Sequence, residues 1–252
     1  MPAAAPISSP VRFAAATDVG RVRAHNEDYH LLVPEAGLFL LADGMGGHNA
    51  GEVASRIALE AAQEYFLASG AGEMTLAERL DAALQSANHR VIQESRLSAE
   101  REGMGTTVVA LALEKDRAAI AHMGDSRVYR VRDGEIELLT EDHSLVQEQV
   151  RLGLLTPAEA LVSPYRNVIT RACGVMEGVA PDIRMESLRP GDTFLLCSDG
   201  LSNLLSDQQL LSILTETKGD LARACHGLVQ AANDEGGDDN ITVVVVAVGT
   251  SG

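Results

Sequence analysis

Four aspartates lie close to glycine where apolar runs of the chain begin or end. Gly37–Ala42 leads into Asp43-Gly44, and Ala118–His122 into Gly124-Asp125. Thr193–Cys197 leads into Ser198-Asp199-Gly200, and Gly236-Gly-Asp-Asp239-Asn240 stands directly before Ile241–Val248. Taken singly, an Asp-Gly pair reads as a turn. Four such acids at strand ends near glycine point to carboxylates gathered at one sheet edge, where glycine allows close backbone approach. Anions crowded in this way raise one another's pKa values and are costly unless a cation neutralises them. An all-oxygen donor set without paired Cys or His suits a hard ion, Mg²⁺ or Mn²⁺, rather than zinc.

Other catalytic patterns are missing from the chain. Cys173, Cys197 and Cys225 are followed six positions later by Val179, Asn203 and Ala231, so none opens a Cys-x5-Arg loop. G-x-S-x-G, H-E-x-x-H and the Walker A pattern do not occur. An odd number of cysteines with no C-x-x-C pair reads as reduced, packed thiols in a cytosolic protein.

The elements that must position these groups alternate between β-rich runs and amphipathic helices. Strands are expected at Gly37–Ala42, Thr106–Leu113, Ala118–His122, Arg127–Arg132, Thr193–Cys197 and Ile241–Val248, with weaker signals at Phe13–Thr17 and Asp182–Ser187. The β-branched run Ile241–Val248 predicts a central strand buried on both faces, and Asp133-Gly134 a hairpin turn. Thr75-Leu-Ala-Glu78 is a capping box ahead of Leu80, Leu84, Ala87 and Val91 on one helical face. Leu221, Cys225, Leu228 and Ala232 repeat that spacing; Ser206 opens a shorter helix, and Glu52–Leu67 forms an Ala-rich one. Capping boxes at Ser144–Gln147 and Thr156–Glu159 bracket a helical insert of roughly 30 residues, longer than ordinary connections. Short turns mixed with crossovers indicate largely antiparallel sheets rather than a Rossmann series.

Length and charge narrow the function. The 252 residues are 46% hydrophobic but only 3% aromatic with no Trp, so the core is built from Ala, Leu, Val and Ile. Thirty-six acidic against 20 basic side chains give a net charge of -16, which repels nucleic acid. No apolar run is long enough to cross a bilayer and no signal peptide opens the chain. The expectation is one domain over residues 11–249 behind a flexible tail at 1–10, monomeric and cytoplasmic. The chain ends soon after Val248, which leaves no membrane tether or sensor domain in that expectation.

The same residues fall into an ordered set. Arg23-Ala-His-Asn26-Glu27-Asp28, Asp43-Gly44-Met45-Gly46-Gly47-His48, Gly105-Thr106-Thr107, Gly124-Asp125-Ser126-Arg127 and Asp142-His143-Ser144 come first. Thr170-Arg171, Ser198-Asp199-Gly200 and Asp239-Asn240-Ile-Thr242 follow. Together they resemble the signature of the PP2C-type, metal-dependent protein Ser/Thr phosphatases in their bacterial form, over about residues 12–248. The resemblance implies an α+β fold: a four-layer α-β-β-α sandwich of two mainly antiparallel sheets flanked by helices. A small helical flap at about 142–171 would lie near the active site.

The resemblance also implies two Mn²⁺ or Mg²⁺ ions, with a weaker third. Asp43 would bridge the two, Asp199 and Asp239 would complete the first, and the Gly44 carbonyl would help hold the second. Glu27 and Asp28 would order water in an outer layer with Asn240, Asp125 would share the third ion with Asp199, and Arg23 would grip the substrate phosphate. Two ions about 3.5–4 Å apart share a hydroxide and aim it in line at phosphorus. The implied activity is hydrolysis of phosphoserine and phosphothreonine in proteins, opposing a bacterial Ser/Thr kinase. The alternatives are a catalytically inactive binding module of the same fold and a different dinuclear metallohydrolase acting on nucleotides or nucleic acid. Met45 departs from the eukaryotic pattern, which has histidine there; a thioether donates no proton. His48 and His143 read as structural hydrogen-bonders or general acids, and Thr106 and Thr107 as packing at a strand start.

Overall fold

The computed structural model describes residues 9–46, 50–70 and 74–249. The elements are β1 Val11–Asp18, β2 Asp28–Val33, β3 Leu38–Met45, α1 Ala50–Ala68, α2 Leu76–Ser95, β4 Gly105–Thr106, β5 Val108–Glu114 and β6 Arg117–Met123. There follow β7 Arg127–Arg132, β8 Glu135–Leu138, α3 Leu145–Arg151, α4 Pro157–Leu161, β9 Asp182–Ser187, β10 Thr193–Cys197, α5 Asp199–Ser202, α6 Asp207–Glu216, α7 Leu221–Asp234 and β11 Ile241–Val248.

One sheet has the order β1-β11-β10-β7-β8 and the other β2-β3-β5-β6-β9, with β4 beside the end of β3. Every pairing is antiparallel. Antiparallel sheets commonly leave one face wet and so alternate apolar with polar residues. The central strands β3, β5, β6, β10 and β11 are apolar almost throughout because both faces are covered. Phe39, Leu41, Leu111, Phe194, Leu196, Val244 and Val246 meet between the sheets. The alternate residues Leu38, Leu40 and Ala42 face α1 and α2, which contribute Ala54, Ala58, Leu80 and Leu84. On the other side Leu195, Val243 and Val245 pack against Leu210 of α6 and Cys225 and Leu228 of α7. A period of two thus divides each strand between two of three apolar layers, and the expected four-layer sandwich is the observed fold. Leu196→Ala, between the sheets, is predicted to cost about 2–5 kcal/mol, seen as a lower urea midpoint at unchanged slope.

The edges are held by charge. Arg130 of β7 donates to Glu186 of β9 at 2.7 Å and to Glu137 of β8, while Arg184 of β9 donates to the same two acids at 2.7 Å each. The ring of two arginines and two glutamates joins the sheets.

Local signals and observed bounds differ in a few places. β3 continues through Asp43-Gly44 to Met45 instead of stopping at Ala42, because Gly44 and Met45 pair with Thr106 and Gly105 of β4. The expected strand Thr106–Leu113 is split at Thr107, since its first residues also bridge Cys173 whereas β5 pairs with Leu38–Leu41. β2 and β8 were not read from the sequence; both are largely half-buried or exposed, so their periodicity is weak. The boxes at Thr75, Thr156 and Ser206 close reciprocally. At Ser144 only one half forms, because the Gln147 amide donates to Glu141 at 3.4 Å. All three cysteines are free and buried. Among the described residues no helix is long and apolar enough to cross a membrane.

Candidate metal centre

The predicted acids come from both sheets. Asp43 lies in β3 directly opposite Asp28, the first residue of β2. Its N–H donates to Thr107 Oγ1 at 3.0 Å, and its carbonyl accepts from Thr107 N–H and Thr106 Oγ1 at 2.8 Å each. Thr106 and Thr107, expected as packing at a strand start, are buried there and in addition fix the backbone of the central aspartate. Asp199 opens α5, Asp239 precedes β11, and Asp125 stands in the turn between β6 and β7.

Asn240 ties the loops around these acids. Its Oδ1 accepts from Glu27 N–H at 2.8 Å, and its Nδ2 donates to Val19 O at 3.0 Å and His25 O at 2.9 Å. Gly200 has no room for a side chain, since a Cβ there would sit 2.1 Å from Asn240 O. The same holds at Gly44, where a Cβ would meet Gly51 O at 2.1 Å and Glu27 O at 2.7 Å. Gly44 N–H donates to Glu27 O at 3.2 Å. Arg23, exposed at the rim, donates from Nη2 to Asp239 Oδ2 at 2.6 Å. His48 lies outside the described residues. His143 is buried beside His122 and Asp182 instead of among the acids. Met45 is half-buried in β3.

Charge crowding is the defining property of the site. Burial pushes the Asp28 carboxyl up to about 7, helped by Asp199 and Asp239 and opposed by hydrogen bonds from Thr242 and Ser198, the latter at 2.8 Å. Asp43 is held well above the usual carboxylate range by burial, then by the charges of Asp28, Asp199, Asp125 and Asp239. Burial raises Asp125 to about 7, with Asp199 and Asp142 adding to it. Asp199 is raised by burial and by Asp239, and Glu27 by burial against the pull of Arg23. Asp28 and Asp43 face each other across β2 and β3, and Asp125 and Asp199 line one cavity, so acids from both sheets stand within one another's field.

The arrangement fits hard divalent ions. Glu27 Oε1, Asp28 Oδ1 and Asp199 Oδ1 are buried with no hydrogen-bond partner among the described residues. Buried anionic oxygens of this kind need hydrogen bonds or a cation, and oxygen-only donors select Mg²⁺ or Mn²⁺. A cavity of about 370 Å³ opens beside them, walled by Asp125 and Asp199 on one side and by Val146, Val150 and Leu161 of the insert on the other. Sequence reading missed the fork of Arg127 onto Asp142, at 2.9 and 2.7 Å, which fastens the insert next to Asp125. Opposite charges at those two positions were the only signal.

Fold and site together define a class: a double-sheet sandwich whose acidic centre is built for divalent cations. The "Protein phosphatase 2C" family profile matches residues 20–241. The serine/threonine protein phosphatase PstP of Mycobacterium tuberculosis is 42% identical over 94% of this chain, and its crystal structure superposes with a TM-score of 0.88 at 41% identity, covering 95% of this chain and 99% of that one. The chain spans 45% of the length of the full PstP sequence. A putative 2C-type phosphatase of Streptococcus pyogenes is 39% identical over 91% of this chain and 94% of its own length. A structure of the PstP catalytic domain in complex with two manganese ions matches at a TM-score of 0.85 and 41% identity, covering 95% and 99% of the two chains. The chain belongs to the protein phosphatase 2C family.

Proposed function

We propose that this chain hydrolyses phosphoserine and phosphothreonine in proteins, using Mn²⁺ or Mg²⁺ bound at the acidic centre. The observation that carries this reading is the mutual charge field of Asp43, Asp199 and Asp239, from β3, α5 and the approach to β11, beside the buried oxygens of Asp199, Glu27 and Asp28 that have no hydrogen-bond partner among the described residues. When bound, two such ions activate water at neutral pH and neutralise the phosphoryl group being transferred. In this reading Asp43 is shared by both ions, Asp199 and Asp239 complete one position, and the Gly44 carbonyl serves the other. Glu27 and Asp28 orient water, and Asp125 with Asp199 takes a third, weaker ion.

Arg23 presents a planar fork suited to phosphate oxygens, and its exposed place beside Asp239 lets a substrate compete for it. Met45 supplies no proton, so the leaving alkoxide takes its proton from water. An inactive module is disfavoured because no ligand position lacks its oxygen donor, and a nuclease because the net charge is -16. Phosphorylated proteins are the substrates in this reading. A cognate Ser/Thr kinase, a cytoplasmic location, a monomeric state and one catalytic unit over 11–249 with a flap at about 142–171 belong to the same proposal.

The test is turnover of a phosphothreonine peptide, with nucleotides and DNA assayed in parallel. Activity should disappear with EDTA and return with Mn²⁺ on the peptide alone. Arg23→Ala should lower kcat/KM about 10–100-fold, the worth of a charge-assisted hydrogen bond of about 1.5–3 kcal/mol. EDTA-resistant turnover, or preference for nucleotides, overturns the assignment.

A further inference from the structure

The insert between β8 and β9 leaves the body on a narrow neck. Leu145 N–H donates to Val168 O and Thr170 N–H to His143 O, both at 2.8 Å, and Ser144 faces Ile169 across an antiparallel bridge. His143 stands at this neck and touches the Asp125 turn twice. Its backbone N–H donates to Gly124 O at 3.0 Å, and Gly124 N–H donates to its ring Nδ1 at 3.2 Å. A ring nitrogen that accepts from an amide carries no proton, so the neutral ring keeps its hydrogen on Nε2.

That Nε2 lies 3.3 Å from Asp182 Oδ2, a carboxylate that Arg171 grips through Nη1 at 2.7 Å and Nη2 at 3.3 Å. His122, stacked at 4.4 Å between ring centroids, donates its own Nε2–H to Glu141 O at 2.7 Å. His122, His143 and Asp182 have donor atoms within 4.8 Å of one another. They are nevertheless not an ion cage, because the one free lone pair of the neutral His143 ring is taken by the Gly124 amide.

On its far side the turn is held by Thr107. Ser126 Oγ and Thr107 Oγ1 are 2.7 Å apart, and Thr107 Oγ1 also accepts the Asp43 N–H. Thr107 fills the space beside Gly124, where a Cβ would sit at 2.6 Å and φ is +108°. The turn is gripped from two directions, and the chain of contacts runs from the neck to the central aspartate.

We infer that His143 is a positioning residue that locks the Gly124–Ser126 turn to the neck of the insert, so that the Asp125 carboxylate is held where it and Asp199 share a divalent ion. The inference rests on the proposed role of Asp125 as ligand of the third, weaker ion.

The experiment is calorimetric titration of Mn²⁺ into the full chain, with amide hydrogen exchange at Gly124. Asp125→Ala should remove the weaker site and spare the two tight ones. His143→Leu should weaken that site about 10–100-fold, the usual effect of losing an outer-shell partner, and should speed exchange at Gly124. His143→Asn places an amide oxygen near the position of Nδ1 and should retain most of the affinity. His143→Gln keeps size and polarity but moves the acceptor to the position of Nε2; it should behave like His143→Leu, which separates the hydrogen bond from general misfit. If Asp125→Ala removes the weaker site while His143→Leu and His143→Gln leave it unchanged, the role of His143 is overturned. Failure of His143→Asn to rescue overturns the acceptor argument. Titrations that Asp125→Ala does not alter overturn the reading of Asp125, and this inference with it.

Discussion

Asp43→Asn is expected to lower Mn²⁺-dependent turnover of a phosphothreonine peptide by at least about 10³-fold, while the metal-free variant melts no lower than the parent. The first effect follows from losing the carboxylate proposed to be shared by both ions. Metal stabilisation of the transferring group is worth several kcal/mol, and each 1.36 kcal/mol is about tenfold in rate. The second follows from the crowding of Asp43 by Asp28, Asp199, Asp125 and Asp239. A carboxamide removes one charge from that group and keeps the volume. The backbone bonds of residue 43 to Thr106 and Thr107 are untouched by the change. Steady-state kinetics and calorimetric melting check the two halves separately. Near-parental turnover sinks the shared-ligand role, and a collapsed Tm shows that the side chain holds the fold instead.

Metal-free protein is expected to lose stability as pH rises from about 4 to about 8, and saturating Mn²⁺ to cancel that loss. Asp28 and Asp125 are raised to about 7 in the folded chain from an ordinary 3.8. Below pH 4 both states are protonated and there is no penalty. Between about 4 and 7 the unfolded chain has released protons that the folded chain retains, so it binds fewer, and stability falls with pH. The total is on the order of several kcal/mol, less than additive because the groups are coupled. His143 acts in the opposite sense. Burial and neighbouring His122 lower its pKa to about 4, so its contribution is lost as pH falls from about 6.5. The difference between loaded and metal-free Tm isolates the carboxylates from this histidine. It should be larger at pH 8 than at pH 5; an equal difference at both contradicts the electrostatic account.

Local sequence determined a good deal of this protein. The β-branched run of β11 predicted a strand buried on both faces, because a run that is apolar at every position needs cover on both sides, and apolar runs marked β3, β5 and β10 as strands. Capping boxes located α2, α4 and α6, since a side chain three residues away satisfies the free amides at a helix start. Asp43, Asp125, Asp199 and Asp239 were visible as acids at strand ends, and their residue types alone selected hard cations.

What the tertiary structure decided are relations between distant stretches. The pairing of Asp28 with Asp43 and of Gly44 with Thr106 sets how far β3 runs, and no local period carries that register. Thr107, Ser198 and Asn240 become ties between loops only after the loops have met, because short polar side chains bond equally well to whatever lies near. The proton of His143 is placed by an amide 19 residues away in sequence. Burial and mutual repulsion of the acids likewise exist only where both sheets converge, and so the chemistry of the site is a property of the folded chain.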